Sequence, residues 1–271
     1  TVFVMTFMVV QPINRVPDET NHARMTWEIF HKPTDKTYKW MENISAEPNV
    51  SPAEYKKLFT EKLDLSQEEF TLGINLKTLS FLPQLIGMAL GTFIYPSVGV
   101  ILMMGRFFNA LAYIFGIYFL IRYFKYGKKA LFFISLLPIM VQQAASLSYD
   151  VMNYLEIMLV IGFFTNIASS KKFINKNFIQ LLVISVGLFA TKLNNVLLLG
   201  LLPFIDFEIE GFLAVLNKPF LAIKAFIGRH RYVFYGLAFA AFFLALHLVF
   251  RYQGGLFQYS RVLLNTLFKQ R

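Results

Sequence analysis

Apolar residues run in long blocks along this chain, separated by short polar or basic breaks. Ser97–Phe124 is long enough to cross a bilayer, whose hydrocarbon core takes about 20 helical residues, and it carries Gly99, Gly105 and Gly116 as small packing positions. Tyr232–Phe250 is a second full span. Ala130–Ser146 and Tyr149–Ile167 form an apolar pair around the polar residues Gln142, Gln143, Ser148 and Asp150. Phe178–Ala190 and Val196–Ile205 are shorter and flank Thr191-Lys192-Leu193-Asn194-Asn195, which reads as a break between two half-helices. Leu79–Ile94 is apolar but contains Pro83, Gly87 and Gly91, and reads as a partly embedded or interfacial helix. Thr1–Val10 is too short to span and reads as the end of a helix that starts upstream, so the chain is expected to be a piece of a longer protein, cut at both ends.

Basic residues fall in alternate breaks. Arg122, Lys125, Lys128 and Lys129 form one group, Lys171, Lys172 and Lys176 a second, and Lys218, Lys224, Arg229 and Arg231 a third, whereas no Lys or Arg lies in 130–170. The positive-inside rule puts these three groups in the cytoplasm, with Asp206–Arg231 as the third cytoplasmic loop. It puts Gln11–Thr78, Gln142–Asp150, Thr191–Asn195 and Gln253–Arg271 outside. The two half-helices then form a short in-out-in pair.

The outer loop, residues 11–78, holds eleven of the sixteen acidic residues and nine basic ones, so it is close to neutral. Pro17 can open a helix with Asp18 and Glu19 in its first turn, where carboxylates suit the helix dipole. Ala23, Trp27 and Phe30 recur at helical spacing, as do Met25 and Ile29, which predicts an amphipathic helix on the outer membrane surface. Ser51–Lys62 is a second helix, with Ser51 as cap and Glu54 in the capping-box position. Asn43-Ile-Ser45 and Asn49-Val-Ser51 fit the glycosylation pattern, which matters only in a eukaryotic secretory host.

Composition sharpens the class. The chain is 56% hydrophobic and only 15% charged, with 31 Phe; soluble domains carry about 25% charged residues. This excludes a soluble globular enzyme, a disordered chain and a coiled coil, and leaves an all-α polytopic membrane protein, read as a single transmembrane domain over residues 1–271. With no Cys there is no disulfide framework, thiolate metal site or cysteine nucleophile. The net charge of +10 fits basic loops facing anionic lipid. The basic residues form no aromatic-interleaved face for nucleic acid, and there is no phosphate-binding glycine loop and no zinc-protease helix.

The residues able to carry chemistry gather on the outer side. Asp18 and Glu19 follow a membrane helix, and His22 lies one turn beyond Asp18 on the same face. They can act as a general base or hold a divalent cation, or simply start a helix. Asp150 lies at the same face, either as a functional carboxylate or, like Ser148, as a cap for the helix that follows. Glu156 and Arg106 each lie about two turns into a span. They are either functional intramembrane charges or partners of one another. Lys192, at the break, is a compact cation suited to a phosphate, or a lysine reaching to the interface from a helix end.

Three blocks carry a resemblance. Gln11-Pro-Ile-Asn-Arg-Val-Pro-Asp-Glu-Thr-Asn-His-Ala-Arg24 resembles the P-D-E-x-x-H-x-x-R signature of the bacterial predicted membrane proteins grouped as the domain of unknown function 2142 family. Gly105-Arg106-Phe-Phe-Asn109 resembles its G-R-x-x-N block. Leu137-Pro138 through Ala145-Ser-Leu-Ser-Tyr-Asp150 resembles its third block. Lys192 falls where the family has K-P, with Leu193 replacing the proline. That family is similar to the GT-C glycosyltransferases, multi-spanning enzymes that take sugars from polyprenyl-phosphate carriers on the outer face.

The resemblance implies a GT-C-like helical bundle with a large outer first loop in a bacterial plasma membrane. It implies Asp18 as base or metal ligand with Glu19 beside it, possible magnesium or manganese on that pair, and Asp150 as a further outer carboxylate. His22, Arg24, Arg106 and Lys192 become the substrate-binding residues, and a glycan or other envelope component the acceptor. A transporter or flippase for a lipid-linked glycan, and a non-catalytic scaffold for envelope assembly, are the alternatives.

Overall fold

The computed structural model describes residues 1–13, 16, 18–32, 51–66, 68–251, 258 and 261. Pro17, the asparagine at 43, and most of the segment after 251 lie outside the described residues, and so do the expectations that rest on them. The chain divides into two compact units, Thr1–Leu213 and Ala214–Arg271.

In the first unit, α1 (Val2–Val10) and α2 (Glu19–Phe30) precede α3 (Pro52–Thr60). A 3-10 turn, Leu76–Phe81, leads into α4 (Leu82–Ile94), which pairs with α5 (Val98–Tyr123). Then come α6 (Lys128–Ser135), α7 (Pro138–Ala144), α8 (Asp150–Ser170), β1 (Lys172–Phe173) and α9 (Asn175–Thr191). A 3-10 stretch, Leu193–Phe204, follows, and β2 (Glu208–Ile209) pairs parallel with β1. The second unit contains α10 (Asn217–Arg229) and α11 (Arg231–Arg251).

The protein is an all-α membrane protein. Among the described residues three helical stretches are long and apolar enough to cross a membrane: Val98–Tyr123, Asp150–Ser170 and Gly211–Arg229. The third departs from the expected cytoplasmic loop at Asp206–Arg231. Lys218 and Lys224 gave that segment the look of a loop, but the apolar residues between them keep it helical. The expected apolar segment Ala130–Ser146 is also divided. Pro138 opens α7 as its first residue, and Leu137 before it is extended (ψ 136°), so α6 stops short. A proline has no N–H to give the preceding turn, and it forces its predecessor out of helical geometry.

Glycines set how closely α4 and α5 approach. A Cβ at Gly87 would collide with the Met104 carbonyl, and one at Gly91 would lie 2.8 Å from the Ile101 Cα. The long apolar segment with Pro83 therefore packs backbone to backbone on a membrane helix. Gly99 faces the Phe59 ring of α3, and Gly116 faces Leu155 of α8.

The expected amphipathic helix forms as α2, and it turns its apolar face inward. Ala23, Trp27, Ile29 and Phe30 are buried against Phe81, Leu85 and Met88, whereas Met25 is exposed. The helix is thus covered by its own chain along the face predicted to meet lipid. The second predicted helix starts as expected. The Ser51 hydroxyl accepts from the Glu54 N–H and the Glu54 carboxylate accepts from the Ser51 N–H.

At the end of α2, His31 is buried, stacked on Trp27 at 3.9 Å, with no described partner for Nδ1. Burial pushes its pKa down to about 4. The folded protein keeps this imidazole neutral while the unfolded chain protonates it below about 6.5. Stability is therefore full above that value and falls as pH drops toward 4, where the folded form protonates too and the loss levels off, at roughly 3 kcal/mol. Thermal unfolding across this window should show the loss, and His31→Phe should flatten it.

Candidate functional site

Arg106 of α5 and Glu19 of α2 form a buried ion pair. Arg106 Nε and Nη2 donate to the two oxygens of Glu19, each at 2.6 Å, and both side chains are at most 2% exposed. The remaining Arg106 protons go to the carbonyls of Met8 (3.4 Å), Gln11 (2.6 Å) and Pro12 (3.0 Å). All five guanidinium protons are thereby used, and the C-terminal carbonyls of α1 meet the cation that a helix C-terminus favours. This corrects the expected pairing of Arg106 with Glu156. Glu156 Oε1 instead lies buried without a described partner, against Gly187 of α9.

The same network grips the turn before α8. Glu19 Oε1 also accepts from the Leu147 N–H at 3.1 Å. His22 Nδ1 lies 3.1 Å from the Leu147 carbonyl, and the Asn109 amide donates to the carbonyls of Ser146 (2.7 Å) and Ser148 (3.0 Å). Glu19, His22, Arg106 and Asn109 thus hold one buried turn, residues 146–148. Just before α8 the Ser148 hydroxyl accepts from the Asp150 N–H, and the Asp150 carboxylate turns to another partner.

That partner is Lys192. Its Nζ lies 2.7 Å from Asp150 Oδ1 and 5.2 Å from the centre of the Tyr149 ring, at the junction of α9 and the following 3-10 stretch. The pair is partly open to solvent, with side chains 36% and 24% exposed. Burial alone would lower the lysine's pKa, but the hydrogen bond to Asp150 and its charge, with Tyr149 beside it, hold it above the ordinary value. Lys192 is thus a fixed cation and not a base. One turn along, Asn195 donates to Asn153 of α8.

The two groups of residues join through rings. His22 meets Tyr149 edge-on at 4.8 Å between centroids, and Tyr149 in turn lies beneath Lys192. Asp18, one turn before His22, is the cap residue of α2; it is exposed, and its side chain makes no capping hydrogen bond. Its backbone is left-handed, φ 63°, a region Asp tolerates better than most residues. His22, Tyr149, Lys192 and Asp150 are therefore joined side chain to side chain, and the exposed Asp18 lies one helical turn before His22. Arg24 does not join them; it is exposed and pairs with Glu28 along its own helix.

The suggested metal pair does not fit this geometry. Both Glu19 oxygens face a guanidinium, and among the described residues no three His, Asp or Glu side chains converge to hold a metal ion. Tyr149, Asn153 and Asn195 are members of the site that the sequence reading passed over. Matched spacing could have found two of them, since Asn153 is three residues past Asp150 and Asn195 three past Lys192.

Residues 2–263 match the family described as predicted membrane protein (DUF2142). The chain belongs to this family. No protein of curated function and no solved structure matches it. Within this DUF2142 chain, the three signature blocks meet at one turn: the first supplies Glu19 and His22, the second Arg106 and Asn109, and the third residues 146–148.

Proposed function

We propose that this DUF2142 chain is a GT-C-like glycosyltransferase of the bacterial plasma membrane. It moves a sugar from a polyprenyl-phosphate carrier to an acceptor hydroxyl of a glycan or other envelope component on the extracytoplasmic face. The observation that supports it best is the chain of contacts from His22 through Tyr149 to Lys192, with the exposed Asp18 one helical turn before His22. This arrangement offers the two opposite charges the reaction needs. The acceptor hydroxyl loses its proton as it attacks the anomeric carbon, which the carboxylate of Asp18 favours. The bond to the carrier phosphate breaks with its electron pair, and the negative charge gathering there suits Lys192. Asp150 holds Lys192 in place until the phosphate arrives, and the Tyr149 ring braces both Lys192 and His22.

Transport of a lipid-linked glycan has one observation in its favour, the buried carboxyl of Glu156 in a membrane-spanning helix. Arg106, the other charge such a path would use, is already locked to Glu19.

The test is sugar transfer by the purified full-length protein from a panel of polyprenyl-phosphate sugars. Transfer from at least one donor is expected; none from any donor would sink the reading. Lys192→Ala should weaken binding of a polyprenyl monophosphate about tenfold or more, since a charge-assisted contact contributes about 1.5–3 kcal/mol. Unchanged binding would remove Lys192 from the phosphate site.

A further inference from the structure

His22 is held in a way that leaves one of its nitrogens available. A backbone carbonyl only accepts, so the contact from Nδ1 to the Leu147 oxygen places the ring proton on Nδ1. In the neutral tautomer that this contact selects, Nε2 carries the lone pair and lies on the side of the ring away from Leu147. The ring cannot swing freely. It is braced edge-on by Tyr149, and its own helix is tied to residue 147 a second time through Glu19. Thr26 and Gln84 fasten the next turn, the threonine hydroxyl donating to the His22 carbonyl and accepting from the Gln84 amide.

We propose that His22 Nε2 is the group that takes the proton from the acceptor hydroxyl, with Asp18, one turn earlier on the same face, supplying the negative charge that favours the resulting imidazolium. This rests on the sugar-transfer reading and names the residue that carries its proton step. The acceptor O–H bond breaks toward Nε2, and the oxygen bonds to the anomeric carbon. The carbon–oxygen bond to the carrier phosphate breaks with its pair staying on the phosphate beside Lys192. The Leu147 carbonyl keeps accepting from Nδ1 throughout, so protonation at Nε2 needs no rearrangement of the ring. This is the orienting role that a fixed acceptor plays for a catalytic histidine.

The bracing and the proton-accepting roles use different nitrogens, so one substitution separates them. In His22→Asn the side-chain amide N–H occupies the place of Nδ1 and can still reach the Leu147 carbonyl, but nothing replaces Nε2. This variant is expected to melt with the wild type and bind a polyprenyl monophosphate normally, while transfer falls roughly a hundredfold. Full transfer by a folded Asn variant would assign His22 to bracing alone and overturn the proposal, leaving the sugar-transfer reading in place.

A second measurement needs no turnover. Diethyl pyrocarbonate acylates unprotonated, accessible imidazole nitrogens, and fragment mass spectrometry distinguishes His22 from the chain's other three histidines. His22 should be acylated in the full-length protein, and a polyprenyl monophosphate bound at Lys192 should slow this severalfold by covering the neighbouring ring. An unreactive His22, or acylation indifferent to the carrier, would overturn the proposal even if transfer is observed. Protection in a protein that transfers no sugar would support Nε2 as part of a carrier site while the sugar-transfer reading fails.

Discussion

Arg106→Met is expected to lose the packing of α1, α2 and α5 around the buried pair. The substitution leaves the Glu19 carboxylate buried without its cation and orphans the carbonyls of Gln11 and Pro12. Removing one partner of a buried ion pair costs about 3–5 kcal/mol, a large share of the 5–15 kcal/mol that holds a typical domain together. Arg106→Lys should fare little better, because an ammonium has three protons where this site uses five, and it has no planar fork for the carboxylate. The double variant Glu19→Met with Arg106→Met should recover part of the loss, since it removes the stranded charge, but the Leu147 N–H still lacks its acceptor. Thermal unfolding in detergent, with size-exclusion profiles as a check on aggregation, reads all three. A single Arg106→Met variant melting within a degree or two of wild type would show that the network carries little of the stability.

This network also marks where sequence reading stops. Pattern alone locates the spans at α5 and α8 and the capped start of α3, because each depends on neighbours a few residues away, whereas the close approach of Gly87 and Gly91 to α5 does not. It cannot say that Arg106 belongs to Glu19, 87 residues earlier, and not to Glu156. Both carboxylates suit a buried arginine, and the choice is made by how α1, α2 and α5 pack. The adjacent acids Asp18 and Glu19 are alike in sequence and opposite in place. The left-handed backbone at Asp18 ends the incoming chain and turns one carboxylate to solvent and the next into the core. Tyr149 is hard to single out for a related reason: an aromatic residue beside a membrane helix is commonplace, and only a histidine from one element and a lysine from another, both against its ring, mark it. The split at Pro138 was within reach of the sequence, since a proline inside an apolar run breaks a helix wherever it is not the first residue.

Asp18→Asn separates enzyme from transporter. The change keeps the size and much of the hydrogen-bonding capacity of the side chain and removes its charge. Because Asp18 is exposed and makes no capping bond, the fold has little to lose, at most about 1 kcal/mol. Asn also tolerates the left-handed backbone at this position, so no new strain arises. Sugar transfer, in contrast, should fall by roughly a hundredfold or more, the usual contribution of a group that helps move a proton in the transition state. Carrier binding should persist, because it depends on Lys192 and on the prenyl tail. The loss should therefore appear in kcat and leave the carrier's Kd in place, the mark of an interaction made in the transition state alone. Lys192→Ala should show the opposite bias. In a transporter Asp18→Asn would spare function, whereas Glu156→Gln, deep in α8, would abolish it. Full sugar transfer by correctly folded Asp18→Asn protein would refute the part given to Asp18, whatever family the chain belongs to.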